Sequence, residues 1–249
     1  MKKAFLLSIV FLATVLVSFR PGVTGPWNTA SKAELKTAYD KAIAWFSENQ
    51  SCSVNISYAS YMDYTTLKPY DHSEGFYKRN RDNFHVSSMG ITTIQNEKMC
   101  VVADTLNQII ILRKKATLNQ GPVDAKGLSE LLDNAASLKK QTLNSETAYR
   151  VEFKPNAAYS AFEFRVNSKG LFTSIIYFYS KEMQEDEEEK GAPKSKPRME
   201  IAFSGYESNA KFDHQKEFSG KQFIKESTGK ITLNDLYKHY ELKDYRNIN

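Results

Sequence analysis

Residues 83–113, NFHVSSMGITTIQNEKMCVVADTLNQIIILR, constrain the fold more than any other stretch of the chain. Apolar and polar side chains alternate there in short runs, which is the two-residue period of a β-strand. The polar breaks between the runs are too short for anything except tight turns, so neighbouring strands must be antiparallel. The pattern therefore predicts an antiparallel meander. Its strands are expected at about 74–80, 83–89, 98–104 and 107–114, with turns at Arg81-Asp82, Asn96-Glu97 and Thr105-Leu106-Asn107.

Two segments have a helical period instead. Ser31-Lys32-Ala33-Glu34 fits a capping box, with Ser31 as N-cap and the Glu34 side chain reaching back, and it predicts a helix from about Lys32 to Glu48. After Gly121-Pro122, a second amphipathic helix is expected at about 127–140. Its apolar stripe consists of Leu128, Leu131, Leu132, Ala135 and Leu138.

The remaining strands complete one β-rich domain. A strand that includes Val54, Ile56 and Tyr58 follows the first helix, and more are expected at 147–154, 160–167, 171–180 and 198–208. The tail, about 222–246, is interpreted as a hairpin around Thr228-Gly229-Lys230, and its last strand carries Tyr237, Tyr240 and Tyr245. No internal repeat or second domain is evident.

An acid-rich stretch, EMQEDEEEKGAPKSKP at residues 182–197, separates the last two strands of the domain. Its charge, proline and lysine content predicts a solvated, mobile loop. The boundaries that follow are a domain over 26–218 and, as part of the same domain, a C-terminal hairpin extension over 219–249.

Residues 1–25 have the layout of a secretory signal peptide, with two lysines ahead of an uncharged apolar run. The small residues Val23-Thr24-Gly25 suit cleavage but Pro26 opposes it, so an uncut membrane anchor is the alternative. Export to the periplasm is expected in either case. Three of the cations behind the formal net charge of +5 lie in this segment. The net charge of the other residues is too near zero to favour a nucleic-acid partner.

Cys52 and Cys100 are the only cysteines. In an exported chain they could form one disulfide, or they could be two small buried thiols. A disulfide would require their Cα atoms to lie within about 7 Å of each other.

No recognisable catalytic motif is present. The four histidines, His72, His85, His214 and His239, have no partner at zinc-ligand spacing, and neither a Gly-x-Ser-x-Gly elbow nor a phosphate loop occurs. The chain is therefore predicted not to be an enzyme, and to bind neither a metal ion nor a cofactor.

The strand faces are unusually apolar. Phe162, Phe164 and Val166 share one face, and the strand at 171–180 is apolar on both. A sheet of this kind must be covered by helices, close on itself, or hold an apolar ligand. An ordinary packed core and a cavity for an acyl chain are both compatible with the pattern.

Two stretches resemble the LolA/LolB-like family of periplasmic lipoprotein carriers. GFYKRNRDNFHVSS, followed by NEKMCVVADTLNQIIIL, is similar to that family's strand ending in Lys-Arg-Pro and to the strands after it. Gly75, Lys78, Arg79 and Phe84 hold the matching places, and Asn80 replaces the proline. FEFRVNSKGLFTSIIYFYS and RMEIAFSGYESNAKFDHQKEF resemble the family's closing strands, with matches at Asn209, Phe212, Asp213 and Phe218.

The resemblance implies an α+β fold, in which a strongly curved antiparallel sheet, a half-barrel, holds helices in its concave face. It implies a monomeric, non-enzymatic carrier of lipoprotein or lipid acyl chains, with transient membrane-surface contact and an envelope protein as donor or acceptor. An envelope sensor that binds a protein partner is the alternative. The expected lid helix carries Leu128, Leu131 and Leu132. The expected cavity lining is Val54, Ile56, Tyr58, Phe84, Val86, Tyr149, Val151, Phe162, Phe164, Ile201 and Phe203.

Overall fold

The computed structural model describes residues 26–115, 125–182, 195–227 and 230–246. The helices are α1 (Lys32–Glu48), α2 (Ala125–Asp133) and α3 (His214–Glu217). The strands are β1 (Asn28–Thr29), β2 (Ser51–Tyr61), β3 (Asp71–Asn80), β4 (Asn83–Ser88), β5 (Ile91–Gln95), β6 (Cys100–Asp104), β7 (Ile109–Arg113), β8 (Ala135–Leu143), β9 (Glu146–Phe153), β10 (Tyr159–Asn167), β11 (Phe172–Tyr179), β12 (Arg198–Ser208), β13 (Ile224–Ser227), β14 (Lys230–Leu233) and β15 (Glu241–Asp244).

Thirteen of these strands form one open sheet, in the order β1-β8-β9-β10-β11-β12-β2-β3-β4-β5-β6-β7-β15. Its pairs are antiparallel except the last, in which β15 runs parallel to β7. β13 and β14 form a separate hairpin. Because β2 pairs with both β12 and β3, the chain's first long strand lies near the middle of the sheet, and the later strands flank it.

The sheet is strongly curved, and its concave face carries α1 and α2, so the expected α+β half-barrel is confirmed. One apolar cluster on this face, the concave core, includes side chains from eight neighbouring strands, β8 to β4. Laid flat, eight strands would span about 34 Å, and α1 is only about 25 Å long. A helix of this length can contact strands across the cluster only if the sheet bends around it. Bulges in the β10–β11, β12–β2 and β8–β9 pairs add to the bend.

Helix α1 packs its apolar side chains on the concave face, and side chains of β8 and β3 bind its two ends. The Ser31 side chain accepts a hydrogen bond of 3.1 Å from the backbone N–H of Glu34, as the capping pattern predicts. The Glu34 side chain does not reach back to complete the box, since it pairs with Lys140 on β8 at 2.6 Å. At the other end, Arg79 on β3 donates to the Phe46 carbonyl at 2.8 Å. The last turn of α1 has no basic residue of its own, so Arg79 supplies the charge that a helix C-terminus favours.

The second apolar cluster, the outer core, lies on the opposite, convex face of the sheet. Val101 pairs in register with Ile94 and Leu112, and these side chains alternate with the concave-facing ones on the same strands. The C-terminal extension covers them with Phe223, Ile224 and Ile231. Residues of the extension thus pack against the sheet and pair with its edge strand.

Three predicted elements are wrong in detail. The helix expected at 127–140 ends at Asp133, and Leu138 lies on strand β8. The meander has an additional strand, β5, behind a turn in which Met89 and Gly90 have positive φ. The tail hairpin exists, but Tyr237 lies in a short 3-10 turn, and the final strand is β15.

Two predictions concern residues outside the described ranges. The predicted signal peptide at 1–25 lies outside them, as does most of the predicted acidic loop, residues 183–194. Within the described ranges, no helix has the length and apolar character needed to cross a membrane.

Gly75 marks a close approach between β3 and β4. A Cβ at this position would collide with the backbone carbonyl of Ser87, which cannot move aside as a flexible side chain would. We therefore expect Gly75→Ala to lower the free energy of unfolding by about 2 kcal/mol. Urea denaturation would measure it. A change within about 0.5 kcal/mol, the ordinary range of a surface substitution, would contradict the close approach.

A partly buried ionic cluster ties α3 to the convex face. Glu217 accepts a hydrogen bond of 2.9 Å from Lys78, and the same carboxylate oxygen lies 3.6 Å from Nδ1 of His85. The His85 ring packs edge-on against Phe76, and its Nδ1 makes no hydrogen bond. Burial lowers the pKa of His85 below its ordinary value of 6.5, and the charge of Glu217 only partly opposes this.

His85 therefore makes folding stability depend on pH. Its pKa is lower in the folded state than in the unfolded state, so its contribution is complete above pH 6.5 and is lost as the pH falls toward the folded pKa. We expect the free energy of unfolding to decrease between pH 7 and pH 5, and His85→Gln to flatten that slope. His72→Gln, at an exposed histidine of β3, is the matched control for the substitution itself. Parallel slopes for all three proteins would contradict the assignment.

Candidate functional site

The residues predicted to line an acyl cavity lie together on the concave face. Seven are buried in the concave core and three lie half-buried at its margin. Phe84 is the exception, because it is buried but belongs to neither apolar cluster and pairs in register with Arg79 and Gln95. The seven are Val54, Ile56, Tyr149, Val151, Phe162, Phe164 and Phe203, and the three are Tyr58, Val86 and Ile201.

The predicted lid leucines also lie on this face, on the shorter helix α2. Leu128 and Leu132 are buried in the concave core, and Leu131 is half-buried against it. Asp133 at the end of α2 lies 3.7 Å from Lys32 at the start of α1, so the two helices are neighbours. A single ion pair between exposed side chains adds little stability. Helix α2 is therefore held in place mainly by the packing of its leucines.

Aromatic side chains of α1 fill the floor of the concave core. The Tyr39 ring packs edge-on against Phe164 and Phe172, with centroid distances of 5.2 Å to each. Phe46 packs against Tyr77 at 5.7 Å in the same manner. Neither Tyr39 nor Phe46 was among the residues predicted to line the site. Helical spacing can indicate the buried face of a helix, but not the sheet surface against which that face packs.

Two surface grooves lie away from these residues. One of about 700 Å³ lies between α3, the β5–β6 turn and β13, and its floor includes Met99, Phe218 and Ile224. Another of about 430 Å³ lies beside β1 and β8. Neither groove is lined by the predicted cavity residues, which in this structure form a packed layer between sheet and helices.

The apolar concave surface continues beyond the packed core, onto strands β4 to β7, here called the arm. Val86, Thr93, Val102 and Ile111 lie in register across the four strands and therefore on one face. Ile91 and Ile109 extend this surface toward the rim, and Ile91 is 43% exposed. We call Val86, Ile91, Val102, Ile109 and Ile111 the arm face.

The arm face is only partly covered. Val102, Ile109 and Ile111 are half-buried and belong to no apolar cluster of the residues that the structure describes. Val86 is packed against the concave core, so it joins the arm face to that core. A signal for this surface was present in the sequence, because Ile109-Ile110-Ile111-Leu112 is apolar on both strand faces and both faces need cover.

Both cysteines are free, buried thiols. Cys52 lies on β2 and Cys100 on β6, with three strands between them, which is too far for a disulfide. Burial raises the pKa of Cys52 to about 11, and the nearby charge of Arg79 only partly opposes it. Burial likewise raises the pKa of Cys100. Both side chains therefore stay protonated at neutral pH and act as small apolar groups.

No group of His, Cys, Asp and Glu side chains in the described part of the chain is arranged to hold a metal ion. The site is instead an extended apolar surface. Such a surface can bind hydrocarbon without directional contacts, since the favourable free energy comes from removing apolar area from water.

Comparison with known proteins gives distant structural likenesses. No family model and no curated protein matches the chain. A crystal structure of the Mycobacterium tuberculosis lipoprotein LppX is 10% identical, with a TM-score of 0.32, and the match covers 74% of this chain and 100% of that one. A DUF1329 family protein from Desulfovibrio piger is 9% identical, with a TM-score of 0.30, over 75% of this chain and 98% of that one. At these scores neither likeness decides what the chain does.

Proposed function

We propose that this chain is a non-enzymatic carrier that binds the acyl chain of lipid-modified cargo, a lipoprotein or a lipid, on its concave face. The observation that supports this most is the continuity of apolar surface from the packed core onto the half-exposed arm face. A soluble domain with no ligand gains nothing from leaving such a surface open to water. The predicted signal peptide agrees with a role in the periplasm.

Binding would proceed by displacement of α2. An acyl chain first contacts the arm face and then extends over Val86 toward the concave core, where α2 covers the sheet. Each methylene removed from water contributes about 0.8 kcal/mol, and each leucine that α2 gives up costs about 1.5–3 kcal/mol. Entry of a chain of ten or more methylenes can therefore offset release of Leu128, Leu131 and Leu132, and the near balance keeps binding reversible.

A second candidate function is an envelope module that binds a protein partner. The groove of about 700 Å³ favours it, because the C-terminal extension supplies much of the groove's wall. Native mass spectrometry of protein purified from its own host would separate the two functions. Co-purifying lipid or lipoprotein supports the carrier, and a lipid-free complex with a stable protein partner supports the module.

Substitutions on the arm face test the carrier. We expect Val102→Asp and Ile111→Asp to weaken binding of a neutral fluorescent hydrocarbon probe by tenfold or more, because the ligand would have to desolvate a carboxylate. Leu106→Asp is the matched control, since Leu106 lies in the β6–β7 turn and is 77% exposed. Equal binding by all the variants and the wild type would contradict the assignment of the arm face.

Truncation of the lid leucines tests displacement. If α2 is a lid, Leu131→Ala and Leu132→Ala should tighten probe binding while the far-ultraviolet circular dichroism spectrum is retained. Leu35→Ala on α1 is the control, and it should lower the free energy of unfolding by about 2–5 kcal/mol without tightening binding. If the α2 variants behave like the Leu35 variant, α2 is an ordinary core helix and the displacement step is wrong.

A further inference from the structure

A corner rich in cations lies where the ends of β3 and β7 meet. Lys115 follows β7 and pairs with Asp82 in the β3–β4 turn at 2.8 Å, which joins the two ends. Arg79 and Arg81 belong to the same turn region, because the Arg79 side chain donates to the Arg81 carbonyl at 2.7 Å. Arg113 ends β7 itself. The corner therefore carries four cationic residues, and Asp82 is paired with one of them, Lys115.

Arg113 lies on the concave side of this corner. It pairs in register with Cys100, which pairs with Gln95 and, through it, with Phe84, and all four share one sheet face with the arm face. Ile111 precedes it by two residues on the same face of β7. Two residues of strand advance about 7 Å, so Arg113 is the next residue on this face of β7 after the apolar surface ends.

The charges at the corner are not all matched by protein groups. Arg79 bonds to the Phe46 and Arg81 carbonyls, and Asp82 is paired with Lys115. Arg113 is exposed and makes no ion pair with another residue in the ranges that the structure describes. A half-exposed apolar strip that ends at an unmatched guanidinium complements a molecule with a hydrocarbon chain and an anionic end.

We infer that the concave face selects anionic amphiphiles, whose acyl chain lies along the arm face and whose carboxylate or phosphate lies against Arg113. This inference rests on the proposed acyl-binding function and adds to it the charge of the cargo's head group. A fatty acid and an anionic phospholipid share this chemistry, and the test below distinguishes them.

The test is competition against the neutral hydrocarbon probe by amphiphiles of one acyl length, each used below its micelle-forming concentration. Lysophosphatidylglycerol and the free fatty acid are anionic, lysophosphatidylcholine is zwitterionic, and monoacylglycerol is neutral. We expect at least one anionic amphiphile to bind about fivefold more tightly than the neutral one, which is the size of a partly exposed ion pair. The preference should shrink as salt is raised. The stronger of the two anionic competitors identifies the phosphate or the carboxylate as the preferred group.

Variants of Arg113 assign the preference to this residue. Arg113→Gln should abolish it while leaving monoacylglycerol binding unchanged, and Arg113→Lys should retain most of it. Lys169→Gln, in the exposed β10–β11 turn, is the matched control and should change nothing. Equal binding of charged and neutral amphiphiles, or a preference that survives Arg113→Gln, would overturn this inference alone. Failure of every amphiphile to compete would overturn the proposed function itself.

Discussion

The packing of α1 into the curve of the sheet is the interaction on which the rest of the structure depends. Tyr39 contacts strands β10 and β11, Phe46 contacts β3, and the backbone of α1 is bound by Arg79. These contacts draw distant strands onto one helix and so produce the bend. Without α1, the concave core would be a broad apolar sheet in water. The bend also orients the arm so that its own apolar face continues the surface next to α2.

The elements that the sequence predicted well are those whose period was strong and whose ends were marked. Helix α1 follows from its Ser31 cap and apolar stripe, and β12 follows from its alternation and the hydrophobic strands around it. The alternation also placed all eleven chosen lining residues on one face, ten of them in or against the concave core, because a strand's two faces separate by parity once its register is set. Local chemistry was sufficient in these cases.

The errors arose where two periods fit the same residues. In LLDNAASLKK, Leu131, Ala135 and Leu138 suit a helix, yet Leu138 is equally placed for a strand, and pairing with β9 and β1 decided for β8. β5 was missed because Thr92 and Thr93 weaken its alternation. Which apolar face receives a helix and which stays open depends on contacts between residues far apart in sequence. The sequence pattern therefore could not predict that the arm face stays half-exposed.

The outer core has a consequence for how the chain matures. Strands β5 to β7 are apolar on both faces, and residues 219–246 supply the cover for the convex one as well as β15, the partner of β7's free edge. The ribosome makes that cover roughly a hundred residues after the arm it protects. Until then the arm has two uncovered apolar faces and an unpaired edge strand. Nascent chains aggregate through surfaces of this kind. A chain that ends near residue 218 would keep these surfaces exposed permanently. A chaperone that covers apolar surface during synthesis would therefore act mainly on this arm.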